Sequence, residues 1–426
     1  MEERLKSVYA RLDNMTIYEV RQIAREVRAQ VVSGKKGDII DAIMSYARGE
    51  AEAKPLTARG APPKSDKYDE KLVEDIRALR RDALADKDGE RNVIKVSDGL
   101  GGVHDRTVCG YVECADGDYR LVADGSSAIL PLSYVTRFAV REGDKIEGTA
   151  RRVKDEDAVV SIESINGKTS SEIKGRKNFS SLSREYPSRR VILSKGNDAA
   201  VCRFCDLFAP VALGQRAYIC SPVNGGKTTA LKQIALGISS GYPQFKVILL
   251  VTGGKPEELS DFNRSFPSAE KFFTDFGASA VKNLRTARLA FEYAKRQVEL
   301  GGNVILLADG LLEACGQEEG KSLLCNACNA EEEGSLTVIA TLTTPDCGAA
   351  LSTANAVLNL SPDLASARIY PAADAKKSYS SREEALLSAD ELSAANNLRR
   401  KCSAEEIIDI VKYCGVAQIT EKYKNG

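Results

Sequence analysis

The stretch Ser221-Pro-Val-Asn-Gly-Gly-Lys-Thr-Thr229 runs directly into the amphipathic segment Ala-Leu-Lys-Gln-Ile-Ala-Leu-Gly-Ile238. Residues 215–220 before it form a short apolar run suited to a buried strand, and after it the apolar spacing becomes helical. Gly225 and Gly226 therefore stand at a strand-to-helix turn. At such a turn, glycines let backbone N–H groups close around phosphate oxygens at a helix N-terminus. The spacing predicts a phosphate loop, in which Lys227 reaches the β- and γ-phosphates of a nucleotide and the Thr228 hydroxyl ligates Mg2+. Ser221, Asn224, Gly225, Gly226 and Thr229 complete the candidate contacts. Ser221 stands where the motif ordinarily has glycine, and the bland alternative is a Gly-rich turn with an incidental Lys-Thr pair.

Downstream, residues 246–251, 303–308 and 335–341 are near-continuous apolar runs, as parallel strands covered on both faces require. Helical patterns such as 284–300 lie between them, so an α/β domain is expected over 199–426. Asp309 follows the second of these strands. An acidic residue at the carboxyl end of a buried strand is placed to help hold Mg2+, although an Asp capping the next helix has the same signature.

Upstream, residues 1–48 carry a helical pattern: Ile17, Val20, Ile23, Ala24 and Val27 share one face, with Thr16 as N-cap and Glu19 three residues on. A second helix is expected over 38–46, after a basic Gly-containing turn that either packs or touches a nucleic-acid backbone. Residues 49–92 turn to Ala, Lys, Pro and alternating charge, the pattern of a linker with one charged helix near 68–86. Over 93–166 short β-type runs separated by Asp-Gly and Gly-Asp turns predict a small barrel of about five strands. Such barrels bind single strands by stacking bases on aromatics over a basic groove; Tyr111, Tyr119, Arg120 and Arg137 are the candidates, against the alternative of half-buried packing. A Ser-, Lys- and Arg-rich connector spans 167–198.

Lys plus Arg and Asp plus Glu number 60 each, which excludes a general nucleic-acid coat protein and makes any such site local. The N-terminus is charged without an apolar h-region, and no run approaches the ~18 apolar residues of a membrane span, so a cytoplasmic location and no membrane contact are expected. The 11 cysteines then read as reduced thiols, and no His stands near Cys202-x-x-Cys205 or Cys325-x-x-Cys328 to complete a zinc site. With His104 the single histidine, chemistry falls to carboxylates, Lys, Arg and metal-bound phosphate.

Three blocks together resemble one family, the bacterial transcription termination factor Rho: the phosphate loop with its helix (221–238), Glu331-Glu-Glu-Gly-Ser-Leu-Thr-Val-Ile-Ala-Thr341, and Arg368-Ile-Tyr-Pro-Ala-Ala-Asp374 followed by Ser381-Arg-Glu-Glu-Ala-Leu-Leu387. The resemblance extends to Tyr134-Val-Thr-Arg-Phe138, to Arg141-Glu-Gly-Asp144 and to the N-terminal helix pair. It implies a helical N-terminal module, an OB-fold (cold-shock-like) RNA-binding barrel and a RecA-like P-loop ATPase domain in a hexameric ring. It also implies ATP and Mg2+ as ligands, and single-stranded RNA and the RNA polymerase elongation complex as partners. The ring is expected to be a homohexamer or a mixed ring with another Rho. By the same resemblance Lys227, Thr228 and Asp309 are the phosphate and Mg2+ groups, Tyr370 stacks on adenine, Arg382 is an arginine finger for the neighbouring subunit, and Arg368 is a second interface arginine.

The sequence also departs from the family. Where the family has Asp-Glu-Arg before Pro-Glu-Glu, its Glu polarising the attacking water, this chain has Gly253-Gly254-Lys255, and Glu257 or Glu258 substitutes only if the loop shifts. The aromatic Gly-Phe-Gly-Phe segment corresponds to Gly117-Asp118-Tyr119-Arg120, and the central-channel loops are short around 310–325, which leaves Lys321 as a lone basic candidate, and 343–354. Asn224 replaces a lysine, and Leu360-Ser-Pro-Asp363 replaces Leu-Ser-Arg-Lys. Two readings stay open: an ATP-driven RNA translocase acting in termination, or a silent nucleotide-binding paralogue that regulates an active Rho or the polymerase complex. A RecA-like ATPase of unrelated use, such as a rotary or secretion motor subunit, is the third.

Overall fold

Thr16 opens the second helix of the chain with the expected capping box: its side chain accepts from the Glu19 N–H while the Glu19 carboxylate accepts from the Thr16 N–H at 2.7 Å. The computed structural model describes residues 2–27, 29, 31, 34–48, 69–88, 105–115, 117–123, 125–153, 156–330, 334–344 and 348–425. They fall into two units, 1–102 and 103–426.

The first unit contains helices α1 (Glu2–Asp13), α2 (Ile17–Glu26), α3 (Lys36–Ala47) and α4 (Glu70–Asp88). Val20 and Ile23 of α2 and Ile39, Ile40 and Ile43 of α3 are buried together. Helix α4 is the charged helix expected inside a linker, yet its Leu72, Val73, Ile76 and Leu79 join the same core. Their helical spacing is diluted by charge, which hid the apolar stripe in the sequence. Arg11 fixes the start of α4 through Asp69 at 2.7 Å and Asp75 at 2.8 Å. Lys36, which opens α3 out of the basic turn, donates through Nζ to the Asp13 carbonyl. The linker stretch 49–68 and His104 lie outside the described residues.

The second unit begins with a closed barrel of β1 (Asp105–Ala115), β2 (Asp118–Ala123), β3 (Ser126–Ile129), β4 (Lys145–Val153) and β5 (Glu156–Ile165). Its strand order is β1-β2-β3-β5-β4, with β4 paired back to β1 and β3 parallel to β5. Alternating inward residues, among them Val112, Leu121, Ala128, Ile146 and Val159, fill it.

The α/β part holds β6 (Arg216–Ser221), β7 (Lys246–Gly254), β8 (Glu270–Asp275), β9 (Asn303–Asp309), β10 (Ser335–Thr343), β11 (Ala356–Asn359) and β12 (Tyr379–Ser380). The order along the sheet is β8-β7-β9-β10-β6-β11-β12, parallel from β8 to β11, with β12 antiparallel at the end. Side chains on a strand alternate between faces. Leu249, Ile305 and Ile339 accordingly meet Leu231, Ile234 and Ile238 of helix α5 (Lys227–Gly241) on one face. Ile248, Leu250, Leu306 and Val338 meet Phe291, Ala294 and Val298 of helix α6 (Ala280–Val298) on the other. Cys202 and Cys205 lie in the first of these cores, and burial pushes the Cys202 thiol up to about 12. No helix among the described residues is long and apolar enough to cross a membrane.

The barrel is seated on the sheet through a polar cluster. Glu270, the first residue of β8, accepts from Lys145 Nζ at 2.9 Å and from the Tyr111 hydroxyl at 2.5 Å. Tyr111 packs against Phe272 and Tyr293, with ring centroids 4.7 and 5.1 Å away. The connector contributes Arg176, which is buried against Asp144 and Glu299.

Candidate phosphate-binding site

Strand β6 delivers the chain to the loop. Ser221, its last residue, is fully buried, its carbonyl accepts from Thr344 N at 2.9 Å, and its hydroxyl donates to the Pro222 carbonyl at 2.8 Å. A serine at this place is tolerated because Gly225 faces it: a Cβ on Gly225 would lie 2.5 Å from Ser221 Oγ. Gly226 caps α5 with φ 92°, a conformation that side chains disfavour. The loop's glycines therefore follow from contact and from backbone geometry, and they leave the first N–H groups of α5 open to an anion.

Two side chains of α5 and three from the strand ends meet below this loop. The Thr228 hydroxyl donates to Asp309 Oδ2 at 2.7 Å, and Thr341 donates to Asp309 Oδ1 at 2.6 Å, so the last residue of β9 is gripped from both sides. Lys227 Nζ donates to Thr343 Oγ1 at 2.7 Å and to Glu313 Oε1 at 2.9 Å, and the Thr343 hydroxyl in turn donates to Glu313. Glu313 sits on the short helix α7 (Leu311–Cys315). Burial raises its carboxyl pKa, but the hydrogen bonds from Thr343 and Lys227 outweigh this and hold it below the usual carboxylate range.

A cleft of about 520 Å³ opens beside the loop, lined by Asn224, Gly226, Thr229, Gln233, Tyr370 and Ala372 among others. The Tyr370 ring is 40% exposed and comes within 3.7 Å of the point where a Gly226 Cβ would stand. The donor set fits the expected ligands. Glycine N–H groups and Lys227 suit phosphate oxygens, and a hydroxyl beside a carboxylate suits a hard divalent cation.

Arg368 and Arg382 are exposed, each with φ 60°, and neither lines the cleft. The Arg382 guanidinium lies 5.0 Å over the Tyr186 ring. At the family's water-polarising position, Gly253 and Gly254 end β7, Glu257 is exposed, and the Glu258 carboxylate accepts from the Lys255 N–H at 3.3 Å. Sequence reasoning missed Thr341, Thr343 and Glu313. The two threonines lie in or beside an apolar strand, and Glu313 carries no motif.

The barrel candidates separate. Tyr111 is a packing residue between barrel and sheet, which corrects the expectation of base stacking: the outward face of β1 is covered by Phe272 and Tyr293. Tyr119 packs against the barrel core. Arg120 pairs with Glu156 at 3.0 Å, and Arg137 is exposed with its guanidinium 5.2 Å over Phe138. Lys321 lies on the helix Gln317–Leu324, half-buried.

Comparison with known proteins gives consistent relatives. A transcription termination factor Rho from Thermotoga maritima is 33% identical over 318 residues, covering 67% of this chain and 74% of its own. Those of Borreliella burgdorferi and Rhodopirellula baltica are 31% and 28% identical, covering 74% and 70% of this chain. The chain spans 66% of the first and 63% of the second. Among solved structures, an ATPase from the type III secretion system of pathogenic bacteria aligns at 19% identity with a TM-score of 0.45, covering 57% of this chain and 86% of its own. No protein-family model matches the chain. The loop follows an interior parallel strand, Asp309 ends the strand two places along the sheet, and the Thermotoga maritima relative is one third identical over two thirds of the chain: the chain belongs to the transcription termination factor Rho family.

Proposed function

We propose that the protein is a Rho-type termination factor that binds nascent single-stranded RNA, binds ATP with Mg2+, and couples ATP hydrolysis to movement along the RNA and transcript release from the RNA polymerase elongation complex. The observation that carries this is the hydrogen bond from Thr228 to Asp309, 81 residues away, directly after Lys227 in the loop. Loop N–H groups and Lys227 would bind the phosphates; Thr228 and Asp309 would hold Mg2+, which when bound neutralises phosphate charge. Tyr370 would stack on the base. Arg382 and Arg368, exposed and outside their own chain's cleft, suit contacts to a neighbouring subunit's nucleotide in a homohexamer or mixed ring. The barrel is read as an OB-fold that holds RNA, with Tyr119, Arg120 and Arg137 as its contacts and Lys321 in the channel.

A second reading is favoured by Gly253 and Gly254, which leave the family's carboxylate position without an acid. On it, the protein is a nucleotide-binding paralogue that regulates an active Rho. Steady-state ATP hydrolysis with and without cytosine-rich single-stranded RNA, beside Lys227→Ala, separates the two. RNA-stimulated turnover absent from the variant supports the motor; ATP binding without turnover supports the regulator.

A further inference from the structure

The missing carboxylate has a physical counterpart elsewhere in the site. The position corresponding to the family's Glu is Gly254, where a side chain would require its neighbours to shift: a Cβ there would lie 2.6 Å from Leu259 Cδ2 and 2.8 Å from Val251 Cγ1. The neighbouring Gly253 has φ 65°, and a Cβ there would lie 3.9 Å from the Ala314 Cβ. The residue before Ala314 is Glu313. Leu311, Leu312 and Cys315 of α7 are buried, so the one-turn helix is anchored by its apolar side and holds Glu313 toward the phosphate loop. The carboxylate is 2.9 Å from Lys227 Nζ, the ammonium that a phosphate loop places on the β- and γ-phosphates, and it is 38% exposed, open to water. Thr343 fixes the same oxygen from the adjacent strand end.

We propose that Glu313 is the water-orienting carboxylate of this site, moved from the end of β7 to the helix after β9. This rests on the reading of the cleft as an ATP site. In the step it serves, the oxygen of a water bonds to the γ-phosphorus and the bond from that phosphorus to the β,γ-bridging oxygen breaks. The electron pair of the broken bond leaves with ADP, and the water's proton passes to the Glu313 carboxylate and from there to solvent. The same carboxylate neutralises Lys227 until phosphate takes its place.

The test uses the full chain and the variants Glu313→Gln, Glu313→Asp and Lys227→Ala, with ATP affinity measured by equilibrium binding and turnover measured across pH. Glu313→Gln is expected to bind ATP at least as tightly as wild type, because Lys227 loses a competing anion, while turnover falls by about 10²–10⁴-fold. Wild-type turnover should fall on acidification as the carboxylate protonates, and the residual turnover of Glu313→Gln should lack that limb. Glu313→Asp, shorter by one methylene, should lie between them, which guards against a folding defect in the Gln variant. Turnover of Glu313→Gln within about threefold of wild type overturns the proposal, as does a wild type that binds ATP without hydrolysing it; in both cases the ATP site itself stands. A wild type that binds no ATP overturns the site reading and the proposal with it.

Discussion

Arg176 and Asp144 form a two-point ion pair sealed from solvent. Guanidinium nitrogens lie 2.5 and 2.6 Å from the two carboxylate oxygens, with the side chains 1% and 0% exposed. Glu299 of the sheet domain lies 3.6 Å from Arg176 Nε, and it also meets Arg141 at 2.9 Å, Arg296 at 3.0 Å and the Phe179 N–H at 2.9 Å. Barrel, connector and helix end are thus tied by one buried charge network. Replacing Arg176 with Met would leave Asp144 without its buried counter-ion, at a cost of about 3–5 kcal/mol. Urea unfolding followed by circular dichroism should show it, and a loss below about 1 kcal/mol would mean that water enters the network.

The Glu270 cluster makes stability depend on acid. Burial pushes the Glu270 carboxyl up, but Lys145, Lys246 and the Tyr111 hydroxyl together hold it down to about 2, against an ordinary 4.5. A depressed carboxyl stabilises the fold fully above its unfolded pKa, and that stability is lost as pH falls from about 4.5 toward 2. The difference corresponds to roughly 3 kcal/mol. Glu270→Gln should therefore be less stable than wild type at pH 7, with the gap closing on acidification. A gap that stays constant with pH would refute this.

Tyr370 lies beside Gly226 at the mouth of the cleft. Tyr370→Ala should weaken ATP and ADP by about tenfold, in line with the ~1–3 kcal/mol of base–aromatic stacking. Affinity for tripolyphosphate, which has no base, should be unchanged. Equal losses for all three ligands would place Tyr370 in the loop's structure instead.

Arg382 can be tested by complementation. Arg382→Ala alone should lower ATP turnover by about 10³–10⁵-fold if it serves as a finger. Lys227→Ala is silent for a different reason, so mixing the two variants should restore part of the activity, since a Lys227→Ala subunit offers its finger to an Arg382→Ala neighbour. Mixtures no more active than their components would place both residues in one subunit's site.

The α/β architecture was legible because its strands are continuous apolar runs, and the phosphate loop because strand, glycines, Lys227, Thr228 and helix occur in a fixed order. Asp309 was legible as the residue ending such a run. Glu313 was not, because nothing local distinguishes it; only the return of α7 over the loop brings it to Lys227. Tyr111 misled because alternation tells which face of a strand points out of the barrel, not what covers that face. Helix α4 misled through composition: abundant charge concealed four apolar positions that share one side.

Glu270 and Lys246 begin β8 and β7, whereas the phosphate loop, Asp309 and Thr343 all stand at or just beyond strand ends. The barrel's Lys145 and Tyr111 thus hold one rim of the parallel sheet, and the candidate phosphate loop with Asp309 and Thr343 occupies the opposite rim, roughly 15–20 Å away at ~3.3 Å per strand residue. The strands between them are packed on both faces and cannot bend locally. The barrel is therefore cargo bolted to a stiff plate: when one rim tilts, the other tilts with it, and the two ends keep a constant spacing.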